Sequence, residues 1–259
     1  MFSDERFLLM CPSIQIIAKN LVCRYENNDS FHLEIPDLTQ MVDSPIGIYG
    51  LIGSGKSSLG QMIAGLLQPN SGEIRASWGP ETKSLESPKI VYLPQFPGKI
   101  FLGSRVVETV DLIAQMNPSI PNFSTDVRNL LSLFSVDYAA ISERNGYELS
   151  GGELRRFALS LGIARQPDLL ILDEPTIGLG KIGRTQLTEI AGEFSKNHAL
   201  IVISHDFSLL VALSKEFWIM EQGKIVFHGN FSELASNFLQ RETVGLRFFK
   251  EFTAVSTLS

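Results

Sequence analysis

The chain has 259 residues, of which 44% are hydrophobic and 19% charged, so it carries ample material for a globular core and enough length for one large domain. Its net charge of −6 argues against a broad nucleic-acid footprint, which needs a basic stripe. No run approaches the roughly 18 apolar residues of a transmembrane helix, so membrane work would require another chain to do the spanning.

At the start of the chain Asp4 and Glu5 stand beside a single Arg6 with only a short apolar patch, a poor secretory signal. Cys11 and Cys23 sit in no metal-ligand or redox spacing, so both read as small hydrophobes in a reducing cytoplasm. Tyr25 closes a first strand pattern. Phe31, Leu33 and Ile35 then alternate with His32 and Glu34, as a half-buried strand does. Ile46–Tyr49 is a short apolar run that ends in a glycine-rich loop, and Lys56–Leu67 has the pattern of a helix after it. Ile90–Leu93, Leu169–Leu172 and Leu200–Ile203 are nearly continuous apolar runs, which predicts strands buried on both faces.

Between about 98 and 150 the pattern changes. Val106, Val107, Val110 and Ile113 recur at helical spacing, then a polar stretch holds Pro118 and Pro121, and then Val127, Leu130, Leu131 and Phe134 recur in the same way. This predicts a helical subdomain inserted in an α/β core. Leu154–Ala164 reads as a further helix. Phe217–Met220 and Lys224–Phe227 flank Glu221-Gln222-Gly223 and predict a hairpin. Leu234, Phe238 and Leu239 share one helical face, and Leu246, Phe248, Phe249 and Phe252 cluster after them, so residues 231–259 are expected to form a helical tail on a single domain spanning 1–259.

Two loops carry chemistry. Gly50-Leu51-Ile52-Gly53-Ser54-Gly55-Lys56-Ser57, followed by Ser58, matches the phosphate-binding pattern GxxxxGK[ST] between a strand and a helix. Glycines let the backbone turn tightly, so that several N–H groups and the helix dipole face one anion. Lys56 can reach β- and γ-phosphates, and the Ser57 hydroxyl can ligate Mg²⁺. This loop alone indicates an NTPase or kinase. Leu149-Ser150-Gly151-Gly152-Glu153, at the start of a helix, makes a second anion site. Two such sites far apart in one chain are best used together by a head-to-tail dimer, with Ser150 of one subunit meeting the γ-phosphate held by Lys56 of the other.

With both loops in place the chain resembles the ATP-binding-cassette (ABC) ATPases from about residue 14 to 230. The resemblance implies an α/β P-loop NTPase core with a mixed sheet, an N-terminal antiparallel β subdomain and the inserted helical subdomain. Leu149–Glu153 is similar to the family signature, and Leu169–Glu174 to its Walker B strand. The resemblance implies that Asp173 holds Mg²⁺ and that Glu174 polarises the attacking water. Gln95 resembles the Q-loop glutamine, which touches the metal and relays nucleotide state. His205 resembles the switch histidine at the γ-phosphate, and Tyr25 the aromatic that stacks on adenine. ATP and Mg²⁺ are the implied cofactors. The implied partners are a transmembrane transporter subunit and a second ATPase, at the cytoplasmic face of a membrane, and no nucleic acid is expected.

One position departs from the pattern: Gly180 stands where the family's D-loop usually carries aspartate. This raises a pairing with a different ATPase subunit that carries the usual residue. The stretch 92–110 and the Arg155-Arg156 pair most resemble energy-coupling-factor and cobalt-type importers, which would mean vitamin or transition-metal uptake. A soluble ABC ATPase acting on a ribosome or DNA is the main alternative. A small-molecule kinase has no use for Leu149–Glu153.

Overall fold

The computed structural model describes residues 13–25, 28–80 and 86–233. Of the tail expected over 231–259 only residues 231–233 are described; Leu234, Phe238, Leu239, Leu246, Phe248, Phe249 and Phe252, Cys11 and the Tyr25 side chain lie outside the described residues. Along the chain the first half gives β1 (Ile14–Tyr25), β2 (Asn28–Met41), β3 (Ile46–Gly50), α1 (Lys56–Ile63), β4 (Ser71–Trp78), β5 (Ile90–Leu93), α2 (Val106–Met116) and α3 (Phe123–Leu133). The second gives α4 (Tyr138–Ile141), α5 (Gly151–Ala164), β6 (Leu169–Asp173), α6 (Lys181–Phe194), β7 (Ala199–Ile203), α7 (Phe207–Leu213), β8 (Glu216–Glu221) and β9 (Lys224–Asn230).

Among the described residues the strands form two sheets. The larger has the order β5-β6-β7-β3-β8-β9; its first five strands run parallel, and β9 returns antiparallel on β8. The smaller is antiparallel, with the order β2-β1-β4. Strand β4 joins the N-terminal strands although α1 lies between them in sequence. Successive strand side chains point to opposite faces. Leu170, Leu172, Leu200, Val202, Phe217 and Ile219 therefore pack on one side, against the side that carries Leu159, Leu187 and Leu210 of α5, α6 and α7. Ile46, Ile48, Ile171, Ile201, Trp218 and Met220 pack on the other, against α1 and the small sheet. With both faces covered, the strand sequences have no polar alternation to show.

The edge strand β5 differs from expectation. Val91 and Leu93 are buried against α5, while Ile90 and Tyr92, on the face toward α1 and the small sheet, are only partly buried, because that face is less fully covered at the sheet edge where β5 lies. Helix α1 stops at Ile63, short of Leu67, because Gly65 takes a left-handed φ of 72°. Helix α5 starts at Gly151, three residues earlier than Leu154, because Ser150 caps it.

Helices α2, α3 and α5 share a third core of Val106, Val110, Ile113, Val127, Leu131, Phe157 and Leu161. Helix α5 also contributes Leu159 and Ile163 to the core of the large sheet. Its rows at helical spacing thus bind the helical segment to the sheet.

The β8–β9 turn ties three elements together. The Gly223 N–H donates to Ser54 O in the phosphate loop (3.1 Å), and Gly223 O accepts from the Glu34 N–H of β2 (2.8 Å). Its φ is +79°, and a Cβ there would sit 1.9 Å from His32 O. Gly223→Ala is therefore expected to cost about 2 kcal/mol or more. Urea unfolding with an unchanged m value would register it as a fall in midpoint.

Candidate nucleotide site

Strand β3 delivers Gly50 to the start of the loop, and α1 begins at Lys56. Gly53 (φ 81°) and Gly55 (φ 99°) are left-handed, and Gly55 is the N-cap of α1 with no side-chain cap. Such turns direct successive N–H groups into one concavity, and the first-turn N–H groups of a helix have no intrahelical acceptor. Close packing at Gly50 sets the loop's path, since a Cβ there would meet Met220 O at 2.4 Å and Ser54 Oγ at 2.6 Å. Ser54 and Ser58 are buried, Gly55 and Ser57 half-buried, and Leu51, Ile52 and Gly53 exposed. Lys56 is buried, with Nζ donating to Gly50 O (2.8 Å) and Leu51 O (2.9 Å). Burial lowers its pKa, and the charges of Glu174 and Asp173 oppose that shift.

Those acids stand at the C-terminal end of β6. The Tyr92 hydroxyl of β5 donates to Asp173 Oδ2 (2.6 Å), while Asp173 Oδ1 is buried with no hydrogen-bond partner. Burial raises the Asp173 pKa, and the Tyr92 and Ser57 hydroxyls hold it down. A buried carboxylate oxygen without a partner, on a carboxylate that also feels a serine hydroxyl, is a donor set of hard oxygens and fits Mg²⁺.

Glu174 has a left-handed φ of 46°. In a non-glycine residue this stores about 1–3 kcal/mol, and it persists only where the surroundings hold it. Here they do. The Glu174 N–H donates to Ile203 O (2.8 Å). Its carboxylate accepts from Ser204 Oγ (3.1 Å) and from the His205 N–H (3.0 Å), with His205 Nδ1 a further 2.8 Å contact. Ser204 Oγ accepts from the Asp206 N–H (2.9 Å), and Asp206 pairs with Arg184 of α6 at 2.5 Å.

Lys56, Ser57, Asp173, Glu174 and His205 thus form one neighbourhood, joined by hydrogen bonds and charge. Gln95 lies just past β5 and is half-buried; its carbonyl accepts from the Arg155 guanidinium. Ser150, Gly151 and Gly152 stand apart from that network at the N-terminus of α5. Ser150 is exposed there and forms a reciprocal cap with Glu153: Ser150 N–H to Glu153 Oε2 at 2.7 Å, and Glu153 N–H to Ser150 Oγ at 3.3 Å. The capping bond lowers the Glu153 pKa.

Sequence reasoning missed Tyr92 and Ser204. Each had a faint signal: one hydroxylated residue inside an aliphatic strand, and one between a strand and its histidine. Tyr92→Phe removes a partner of a buried carboxylate and is expected to cost about 1–3 kcal/mol. With its pKa raised, the Asp173 carboxyl binds its proton more tightly in the folded than in the unfolded chain. Its contribution to stability is therefore fully present below the unfolded carboxyl's pKa and is lost as pH rises from there through the raised folded pKa. The variant raises that pKa further, so the loss should extend to higher pH and the gap to wild type should widen as pH rises, which denaturation at several pH values would measure.

The architecture is that of a P-loop nucleotide-binding domain. A family profile described as ABC transporter matches residues 37–177. The energy-coupling factor transporter ATP-binding protein EcfA2 of Thermotoga maritima is 32% identical over 199 residues, covering 74% of this chain and 72% of that protein. The protein of the same name from Clostridioides difficile is 30% identical over 248 residues, covering 90% and 85%. A solved structure described as the ATP binding subunit of an ABC transporter shares the fold, with a TM-score of 0.73 at 23% identity over 92% of this chain and 99% of that one. The chain belongs to the ABC transporter family, and it is an ATP-binding, ATP-hydrolysing subunit of that family.

Proposed function

We propose that this subunit closes on MgATP as half of a head-to-tail dimer and passes that motion to a membrane-spanning partner. The observation that carries the reading is the Glu174 carboxylate, held on strained backbone by Ser204 and His205 beside an acid whose buried oxygen lacks a partner. In this reading Glu174 orients and polarises the attacking water, and His205 contacts the γ-phosphate. The backbone of Gly50 to Ser58 cradles the phosphates, and Lys56 neutralises them. Ser57, Asp173 and Gln95 hold Mg²⁺, which when bound supplies charge neutralisation at the phosphates. Ser150, Gly151 and Gly152 receive the γ-phosphate bound to the other subunit, and Tyr25 stacks on adenine.

Residues 98–150 act as the helical subdomain that transmits the motion. The protein sits peripherally at the cytoplasmic face of the membrane. Relatives named as energy-coupling factor transporter ATP-binding proteins support a transporter of that type, and uptake of a vitamin or metal ion is the substrate class this reading carries. Gly180 is the N-cap of α6, has no side-chain cap, and would leave an added Cβ in open space. Crowding within the chain therefore does not exclude aspartate there, which favours an explanation at the dimer interface, with a second ATPase subunit supplying the usual residue. Brisk ATP-dependent homodimer turnover by the pure chain would remove the need for that second subunit.

The test is capture by tagged Glu174→Gln protein with MgATP from detergent-solubilised native membranes. Recovery of a multi-span membrane protein is the expected result, and its identity would point to the substrate. Recovery of ribosomal or DNA-associated proteins with no membrane protein would overturn the transporter reading.

A further inference from the structure

Arg155 is 3% exposed, and a guanidinium stays charged inside a protein. A buried charge is costly unless its donors are satisfied. The hydrogen bonds of Arg155 go to two successive backbone carbonyls sixty residues away: Nη1 donates to Pro94 O (2.9 Å) and Nη2 to Gln95 O. Residues 94 and 95 have just left β5 and belong to no strand or helix, so no ladder of hydrogen bonds fixes their path. The planar fork of one guanidinium fixes two adjacent peptide planes at once, which the single point charge of a lysine cannot do.

The other end of this bond is rigid. Arg155 lies in the second turn of α5, which opens at Ser150 and is packed into two cores through Phe157, Leu159, Leu161 and Ile163. Asp173 and Glu174 also act on the guanidinium electrostatically, opposing the fall in its pKa caused by burial. One side chain therefore links the segment of Gln95, the helix of Ser150 and the field of the acid pair.

We infer that Arg155 is a positioning residue for ATP hydrolysis: its bidentate grip on the Pro94 and Gln95 carbonyls sets the Gln95 segment in register with the helix that carries Ser150. This rests on the roles proposed above for Gln95 and Ser150. A segment displaced by an ångström can lose about 100-fold in rate while the phosphate loop binds nucleotide as before.

The experiment compares full-length wild type, Arg155→Met, Arg155→Lys and Lys56→Ala for steady-state ATPase rate, affinity for a fluorescent ATP analogue, and hydrogen exchange across residues 90–100. In Arg155→Met we expect kcat to fall about 10- to 100-fold, affinity to stay within about threefold, and exchange to rise at the Gln95 and Phe96 amides, since Pro94 and Pro97 carry none. Arg155→Lys should recover part of the rate. If Arg155→Met does not fold, Arg155→Lys decides on the same readouts, with an expected rate between wild type and a tenth of it. Wild-type turnover in a folded Arg155→Met protein, or loss of affinity in parallel with rate, would overturn the inference. Lys56→Ala separates the two levels: if it hydrolyses ATP like wild type, the assignment of the site itself has failed, whatever Arg155 does.

Discussion

Lys56→Ala is expected to lower nucleotide affinity on the order of 100-fold or more and to remove measurable ATPase activity. The ammonium is buried beside Asp173 and Glu174 and is wrapped by the carbonyls of Gly50 and Leu51. A polyphosphate entering this concavity without the cation would meet two carboxylates and lose the loop's own compensating charge. Charge-assisted hydrogen bonds contribute about 1.5–3 kcal/mol each, so losing one or two of them accounts for the expected factor. Alanine also leaves the Gly50 and Leu51 carbonyls short of a donor, so a modest fall in stability should accompany the loss. Titration with a fluorescent ATP analogue, with thermal unfolding as a control, measures both. Affinity close to wild type in a folded variant would sink the assignment of the phosphate loop.

Glu174→Gln should separate binding from chemistry. The amide keeps the shape of the carboxylate and can accept from the His205 N–H while donating to Ser204 Oγ, so the local network survives. What disappears is a negative charge able to polarise water. Such a group typically contributes 10²- to 10⁴-fold, so single-turnover hydrolysis should slow by about 100-fold or more while ATP affinity stays within about threefold. Removing one charge from a buried acidic pair should leave the variant no less stable than wild type. Near-normal turnover would take Glu174 out of the reaction.

The α/β fold was legible because its strands announce themselves. Leu169–Asp173 and Ala199–Ile203 are buried along their whole length, and a strand covered on both faces writes an unbroken apolar run. The phosphate loop was equally plain, since an anion cradle needs small residues at fixed spacing. Less legible was whatever depends on distant partners. The run Ile90–Leu93 looks like its neighbours in sequence, and only its place at the sheet edge makes it half-buried. Strand β4 reads as an unremarkable segment, because its partner β1 lies far earlier in the chain, with Ile14 opposite Trp78. Tyr92 and Ser204 escaped notice, and Arg155 showed only as half of an arginine pair, for the same reason: each acts through hydrogen bonding to a residue far along the chain, and a single polar residue has no periodicity to betray it. The strain at Glu174 belongs to the tertiary surroundings and leaves no trace in composition.

Strand order has a consequence for synthesis. In the large sheet β3 sits between β7 and β8, with Ile46 opposite Ile201 and Glu216. An emerging chain therefore exposes the strand that leads into the phosphate loop long before either neighbour exists. The small sheet can close once Trp78 has appeared, which gives the N-terminal part an early foothold. The sheet that holds the acid pair must wait for nearly all of the described chain. Sheets built from such distant pairings fold slowly and leave sticky edges open meanwhile, so this subunit's yield in a cell should depend on chaperones shielding residues 46–50 until the last strands arrive.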